Sequence, residues 1–574
     1  MSLPSFVDLP TFAPPAAISG GDDPPCKRQR KEEQVPFDAE QWAEWERLGV
    51  KPEGDTGRLF GGAEWGTRAY LDACDKLVVD TRLFDEAFTA ELLASEEVLA
   101  GAATLHAATD GVLIQSENYG ALRLLVPAYA GSVKCVYIDP PYNTGSDGFV
   151  YKDGYQRSTW GAMICDRLAA ALPMVTKDAG FFCSIDENEQ ANLRQQMNAV
   201  LGESNFVADM VWAAGRKNDS KLVSVSHEYI VSYAIDREYL KTMGVEWRQR
   251  KKGLDDIYAQ YDRLKKEHED DYEAMTAGLK QWFRDLPDSH PAKAHKHYSV
   301  VDKRGIYFPD NISWPGGGGP KYEVKHPVTG KPVKVPAAGW RFSNPDEMQR
   351  RIDEELIHFG PDEKSVPCRK SYLVEHEEQV PYSVFYQDGR AATKRLRHVM
   401  GNDDFGYPKD ETVISEVIEM VASDGECVID YFAGSGTTGQ SVLDLQRAGK
   451  GRRPFALVEM GSHYDNALRP RTAKIIYSPD WKEGKAQAHD QGLSALVKCF
   501  AVESYEDALN NLPAPTGGMF DGRPAEEADA LIRYALDLEM GPHLLDLDIF
   551  RDPWGHAINA QLAGDDEIKR HRVD

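Results

Sequence analysis

Asp139-Pro140-Pro141-Tyr142 groups a carboxylate, two prolines and an aromatic ring directly after Val133-Lys134-Cys135-Val136-Tyr137-Ile138. Those six residues are mostly apolar and β-prone, the pattern of a buried strand. Neither proline can donate to a sheet ladder, and each restricts the residue before it, so the strand must stop at Asp139. The carboxylate and the ring then sit on a stiff loop at a strand's C-terminal edge, where open α/β sheets place their ligands. Such a group suits a planar exocyclic amine whose lone pair is delocalised into a ring. To become a nucleophile, that nitrogen needs acceptors for its hydrogens. Asp139 supplies one acceptor and the carbonyl of Pro140 another, held rigid by the loop that Pro141 completes. Tyr142 offers a face on which an unpaired base can stack, worth about 1–3 kcal/mol. The competing reading is a merely structural Asp-Pro turn. Asp23-Pro24-Pro25-Cys26 is such a turn, with no strand before it and no aromatic after it.

A second group lies at Cys427-Val428-Ile429-Asp430-Tyr431-Phe432-Ala433-Gly434-Ser435-Gly436-Thr437-Thr438-Gly439. An apolar strand runs into a glycine turn and then a helix, so Gly434 and Gly436 permit close backbone approach to a ligand. A further strand, Pro454 to Val458, ends in Glu459, whose carboxylate can accept from both ribose hydroxyls of an adenosine. Glycine turn plus acid also fits a dinucleotide site, which keeps a nicotinamide-dependent dehydrogenase as a rival. Asp430 and Phe432, however, flank the turn as in the F-x-G-x-G motif of S-adenosylmethionine enzymes. A dehydrogenase also has no use for the Asp139–Tyr142 group.

The elements around these loops follow an α/β rhythm. Gly111 to Gln115 reads as a strand, Tyr119 to Leu125 as a helix and Thr159 to Thr176 as an amphipathic helix. Gly180 to Ile185 reads as a strand, Glu187 to Val200 as a helix, and Phe206 to Trp212 and Tyr229 to Ala234 as strands. That alternation predicts a doubly wound sheet. Residues 1–36 read as a disordered tail carrying the basic run Lys27 to Lys31, and 37–110 as an N-terminal helical region (Gln41 to Leu48, Phe84 to Ala100). The catalytic half then spans 111–240, an inserted region 241–370, the cofactor half 371–488 and a small C-terminal region 489–574.

The formal charge of −26 excludes indiscriminate nucleic-acid affinity, so any DNA surface must be local. Positions 241–350 hold 20 Lys+Arg against 16 Asp+Glu, against the trend of the whole, which marks the insertion as the candidate nucleic-acid face. Pro309-Asp310 and Glu323-Val324-Lys325 match a short nuclease metal pattern, but without the strand context it needs. The eight cysteines form no C-x-x-C pair, which predicts reduced thiols, no zinc site and a cytoplasmic protein. No apolar run approaches the length of a membrane span.

Taken together, Asp139-Pro140-Pro141-Tyr142 and the glycine turn resemble the β class of DNA amino-methyltransferases, in which catalytic motif, recognition region and cofactor motif follow in that order. Still closer, D-P-P-Y-N-T-G-S-D-G-F-V-Y (139–151), His227-Glu228-Tyr229, Tyr477-Ser478-Pro479-Asp480-Trp481-Lys482 and Glu503 to Leu509 resemble modification subunits of type III restriction systems. Asp302 to Tyr307, Gly339-Trp340-Arg341-Phe342 and Tyr407-Pro408-Lys409 are similar to smaller family segments. The resemblance implies methyl transfer from S-adenosyl-L-methionine to adenine N6 after base flipping, with cytosine N4 as the alternative target. It implies Asp139 to Tyr142 as the catalytic residues. For the cofactor it implies Asp430, Phe432, Gly434, Ser435, Gly436, Thr437 and Glu459, joined by Glu117, Asn118, Tyr407 and Lys409. Double-stranded DNA would meet Arg216, Lys217, Lys303, Arg304, Lys321 and Arg341. A homodimer is expected, with a separate helicase-nuclease or other defence protein as partner, because the chain has no G-x-x-x-x-G-K-[ST] loop. A catalytically silent DNA-binding subunit is the non-enzymatic alternative.

Overall fold

A computed structural model describes residues 39–502 apart from 53–63, 75, 100–101, 103, 146–152, 214–220 and 404. The basic run Lys27 to Lys31, the polar loop with Arg216 and Lys217, and Glu503 to Leu509 lie outside the described residues.

Two compact units are present, one formed by 1–247 with 382–574 and the other by 248–381. The first holds a nine-stranded sheet: β1 (Gly111–Gln115), β2 (Val133–Ile138), β3 (Val175–Ile185), β4 (Phe206–Ala213), β5 (His227–Ala234), β6 (Val384–Tyr386), β7 (Cys427–Asp430), β8 (Phe455–Glu459) and β9 (Val497–Ala501). Their order is β6-β4-β5-β3-β2-β7-β8-β1-β9. Every neighbouring pair is parallel except those made by β5, which runs against both β3 and β4.

The sheet is doubly wound because its central strands are apolar on both faces. Val112 and Ile114 of β1, with Val136 and Ile138 of β2, meet Leu122, Trp160, Leu168 and Leu193 on one side. Leu113, Cys135 and Tyr137 point the other way, to Ile414, Val442 and Ile475. Trp45 and Tyr70 from the N-terminal helices Ala39–Arg47 and Arg68–Ala73 join that second core.

Three sequence expectations shift. The helix predicted to run to Thr176 ends at Ala171, because Pro173 cannot continue it, and β3 already begins at Val175. The predicted helix Phe84 to Ala100 is two shorter ones, Glu86–Leu93 and Glu96–Leu99. The stretch after His489 is not wholly a separate region, since β9 pairs along all of β1 and extends the main sheet.

The second unit contains the helices Leu254–His268 and Tyr272–Asp285, and a four-stranded antiparallel sheet. Leu254, Ile257, Met275, Leu279 and Phe283 form one small core, and Ile312, Trp340, Phe342 and Met348 another. Its limits exclude 241–247 and include 371–381, unlike the span 241–370 read from sequence. With those limits the charges are 23 Lys+Arg and 23 Asp+Glu, so the local positive excess vanishes and the unit is neutral in an acidic chain. No described helix is long and apolar enough to cross a membrane.

Ile429 sits fully buried on β7 between β2 and β8. Ile429→Ala should lower unfolding stability by about 2–5 kcal/mol. Denaturant titration read by tryptophan fluorescence checks it; an unchanged midpoint would remove β7 from the cooperative core.

Candidate active site

Parallel pairing decides where the chemistry collects. Val428 pairs with Cys135 and Ile429 with Val136, so β2 and β7 end side by side. Asp139 follows the first strand and Asp430 closes the second, almost 300 residues apart in the chain. Leu457 pairs with Asp430, and Gln115 with Glu459, which brings Glu459 and the turn after β1 to the same edge. β5 runs the opposite way, and Tyr229 faces Ile185, so Glu228 at its start reaches that edge too.

The proline loop is fixed from behind. Trp160 Nε1 donates to the carbonyl of Pro141 at 2.8 Å. Asn143 has φ of 58°, a left-handed conformation its side chain tolerates, and its Nδ2 donates to buried Glu189 at 2.7 Å. Buried Asp153 accepts from the backbone N–H groups of Asn143 at 2.8 Å and Thr144 at 3.0 Å.

Three charged side chains and one phenol meet at the loop. Lys409 Nζ lies 2.7 Å from Glu228 Oε2, 2.6 Å from the Tyr142 hydroxyl and 3.4 Å from Asp139 Oδ1. The Tyr142 hydroxyl in turn donates to Glu228 Oε2 at 3.0 Å. Asp139 Oδ1 is sealed from solvent without a hydrogen-bond partner. The Asp139 side chain is nevertheless 27% exposed, so its open surface lies on atoms other than Oδ1. Burial pushes the Asp139 carboxyl up from its ordinary value; Lys409 opposes that and Glu228 adds to it. Burial disfavours the charged form of Lys409, but Asp139 and Glu228 more than offset it and hold the amine charged. Burial, Asp139 and Glu228 together push the Tyr142 phenol well above its usual range, so it remains a donor.

Lys409 is held by its neighbours. Asp410, fully buried, accepts from Thr412 N–H and caps the helix Glu411–Val421, while Arg395 spans Asp410 and Glu411. The sequence grouped Lys409 with cofactor contacts, whereas the structure places its ammonium against the proline loop. Tyr407 is 77% exposed.

On the other side of the edge, the glycine turn is built around carboxylates. Asp430 accepts from Phe432 N–H at 3.0 Å and from the Thr438 hydroxyl at 2.5 Å, and burial pushes its carboxyl up to about 7. Glu459 accepts from Gly434 N–H at 2.9 Å and from Gly461 N–H at 3.0 Å, one on each oxygen. Gly434 and Gly436 have φ of 52° and 80°, which favours glycine at both. Ser435 and Thr437 are tied down by buried Arg471, whose Nη1 donates to Ser435 Oγ at 2.8 Å and Thr437 Oγ1 at 3.1 Å. Asn118 donates to the carbonyl of Tyr431 at 2.9 Å and accepts from Arg167 Nε at 2.6 Å. Glu117 caps its own helix through Gly120 N–H and pairs with Arg167.

Glu228 and Arg471 were not singled out as site residues from sequence. Glu228 had a signal in His227-Glu228-Tyr229, but only the antiparallel register shows where it points. Arg471 had none. In the second unit, Lys303 pairs with Glu355 at 2.6 Å, and Arg304 donates to the carbonyl of Glu354 at 2.9 Å. Lys321 and Arg341 are exposed. Asp310 of the nuclease-like pattern is paired with Arg369 at 2.5 Å.

Residues 133–468 match the protein family described as "DNA methylase". The chain belongs to that family. It is 33% identical over 385 residues to the EcoP15I Mod subunit of a type III restriction-modification enzyme from Escherichia coli, covering 61% of this chain and 58% of the relative. It is 28% identical to the StyLTI Mod subunit of Salmonella typhimurium, covering 62% and 53%. It is also 24% identical to the type II methyltransferase M.KpnI of Klebsiella pneumoniae, covering 61% and 81%. The chain spans little more than half the length of the Mod subunits it matches. Among solved structures, the cytosine-N4-specific PvuII DNA methyltransferase aligns at 10% identity and TM-score 0.33, covering 65% of this chain and 89% of that one.

Asp430 gives a pH prediction. With its folded pKa raised to about 7, its ionised form costs stability, and that cost grows as pH rises from the unfolded carboxylate range through about 7. Asp430→Asn keeps an acceptor without the charge. Its melting temperature relative to wild type should therefore rise between about pH 5 and about pH 8. A difference that stays flat across that window would contradict the shift.

Proposed function

We propose that this chain is a DNA amino-methyltransferase that methylates adenine N6 using S-adenosylmethionine, with cytosine N4 as the second candidate. The observation that carries this reading is Asp139. One carboxylate oxygen is sealed beside Lys409, while the side chain keeps an open surface at the strand edge.

The residues across the edge fit the cofactor. Each Glu459 oxygen accepts one backbone N–H, and a carboxylate has about four lone-pair sites, so acceptor capacity remains for two ribose hydroxyls. Phe432, Gly434 and Gly436 would line the approach. When bound, S-adenosylmethionine supplies an electrophilic methyl group on a sulfonium.

The protein's own part is to hold the nucleophile. A base rotated out of the duplex costs a few kcal/mol, which stacking on Tyr142 offsets. Asp139 Oδ2 and the Pro140 carbonyl accept the two amino hydrogens, which localises the nitrogen lone pair and aims it across the edge. The amine keeps both protons until the N–C bond has formed and the methyl's bond to sulfur has broken, because an aromatic amine is far too weak an acid to lose one first; the cationic nitrogen then releases one proton.

Recognition of a DNA sequence needs side chains that read base edges, each bidentate pair giving about 1–3 kcal/mol of discrimination. We assign that role to the unit 248–381, which interrupts the sheet's sequence between its catalytic and cofactor strands. Being neutral, it leaves most phosphate attraction to individual exposed residues such as Lys321 and Arg341. Likeness to Mod subunits supports a homodimer and a separate restriction partner.

Asp139→Ala should abolish transfer of tritiated methyl groups to genomic DNA while changing S-adenosylmethionine affinity only several-fold by calorimetry. Near-normal incorporation in that variant would sink the mechanism. Glu459→Ala should weaken cofactor binding by roughly 1.5–3 kcal/mol for each charge-assisted hydrogen bond lost. Unchanged affinity, or tight NAD binding by the wild type, would favour the dehydrogenase rival. Exchanging 248–381 for the corresponding unit of a relative should transfer the methylated sequence. An active chimaera that still marks the original site overturns the recognition assignment.

A further inference from the structure

The cluster behind the proline loop contains one more acid than the amine-holding chemistry requires. Asp139 and Tyr142 would suffice to seat a base, and Lys409 would suffice to keep Asp139 ionised. Glu228 is the excess carboxylate, and its contacts are specific.

Lys409 has three N–H donors. One points to Glu228 Oε2 at 2.7 Å and one to the Tyr142 hydroxyl at 2.6 Å. Asp139 Oδ1 lies further off, at 3.4 Å, and forms no hydrogen bond of normal geometry. Asp139 is therefore ion-paired with the lysine at longer range than Glu228 is, 3.4 Å against 2.7 Å. A direct bond to the ammonium would occupy one of the lone-pair sites of Asp139 and match part of its charge, leaving it a weaker acceptor for the substrate amine.

Resting on the methyltransferase reading above, we propose that Glu228 is a positioning residue that draws Lys409 away from Asp139, leaving Asp139 an unquenched acceptor for the substrate amine. The same contact fixes Tyr142, whose hydroxyl is held between Lys409 and Glu228, so the stacking ring and the carboxylate are set together. β5 makes this possible. Only an antiparallel strand in this place can bring a side chain from its first turn to the edge where its neighbours end.

The charged and titratable groups facing Asp139 are Lys409, Glu228, Tyr142, Tyr137, Cys183 and Asp430. Tyr137 and Cys183 are pushed well above their ordinary values by burial and stay neutral. Asp430 belongs to the glycine turn. Glu228 raises the Asp139 carboxyl and Lys409 lowers it, so removing one or the other shifts Asp139 in opposite directions.

The test uses the full-length protein, tritiated S-adenosylmethionine and genomic DNA from a host lacking the gene, read as single-turnover methyl transfer against pH. Transfer needs ionised Asp139, so the rate falls on the acid side. Glu228→Gln should move that acid limb to lower pH by roughly 1 and cut the plateau rate about tenfold, as Lys409 closes on Asp139. Lys409→Met should move the limb to higher pH. Glu228→Asp, which keeps the charge, should restore the limb to its wild-type position, and it serves also if Glu228→Gln does not fold. In the Lys409→Met background, Glu228→Gln should lose most of its effect on the plateau, because no ammonium remains to be diverted. Acid limbs that stay in place, that shift the same way in both single variants, or that fail to return with Glu228→Asp overturn the proposal. A wild-type protein that methylates no base overturns the methyltransferase reading instead, so the two failures are distinct.

Discussion

The site depends on one pairing, that of β2 with β7. Cys135 against Val428 and Val136 against Ile429 join two strands that lie almost 300 residues apart in the chain. Being parallel, they end at the same edge, and each ends in a loop with a carboxylate. Bringing such distant segments together costs loop-closure entropy, which grows only slowly with length. Residues buried on both faces of the sheet offset it. The insertion between the two strands can therefore be a folded unit of its own, 248–381, with two small cores and no share in the central sheet.

Around that edge the protein keeps several charges partly or wholly out of water, which is costly unless each is matched. It does so in two separate ways. In the glycine turn, Glu459 accepts from two backbone N–H groups and Asp430 from one backbone N–H and the Thr438 hydroxyl, so acids serve as turn-formers there. Behind the proline loop, Lys409, Glu228 and the Tyr142 hydroxyl satisfy one another and leave Asp139 outside the closed set. The distinction is functional in character. A carboxylate that accepts one backbone N–H on each oxygen can shape a loop and still keep lone pairs for a ligand, as at Glu459, whereas Asp139 takes no hydrogen bond from the backbone.

Support for this arrangement extends well beyond the edge. Trp160, Asn143 and Asp153 pin the proline loop, Arg395 and Asp410 fix the segment carrying Lys409, and Arg471 ties Ser435 and Thr437. Each uses a buried or partly buried polar group whose partner lies in another segment, from 10 to 36 residues away in the chain. Loss of such a group leaves its partner unmatched, so the supporting residues are sensitive even though none of them faces the open side of Asp139.

The sequence alone determined the local chemistry. Prolines after an apolar strand dictate where β2 stops, and a glycine turn after another dictates the loop at Gly434, because both effects act within a few residues. Apolar runs interleaved with amphipathic helices dictated the doubly wound sheet. Tertiary structure alone decided what met at the edge. Glu228 arrives there because β5 runs antiparallel, Lys409 because its loop packs beside Thr437, and β9 joins the sheet beyond the region assigned to a separate C-terminal part. It also decided that the inserted unit is neutral, since its limits take in the acidic stretch 371–381. Strand direction, register and unit boundaries are set by the summed packing of the whole chain, and no single stretch of residues encodes them.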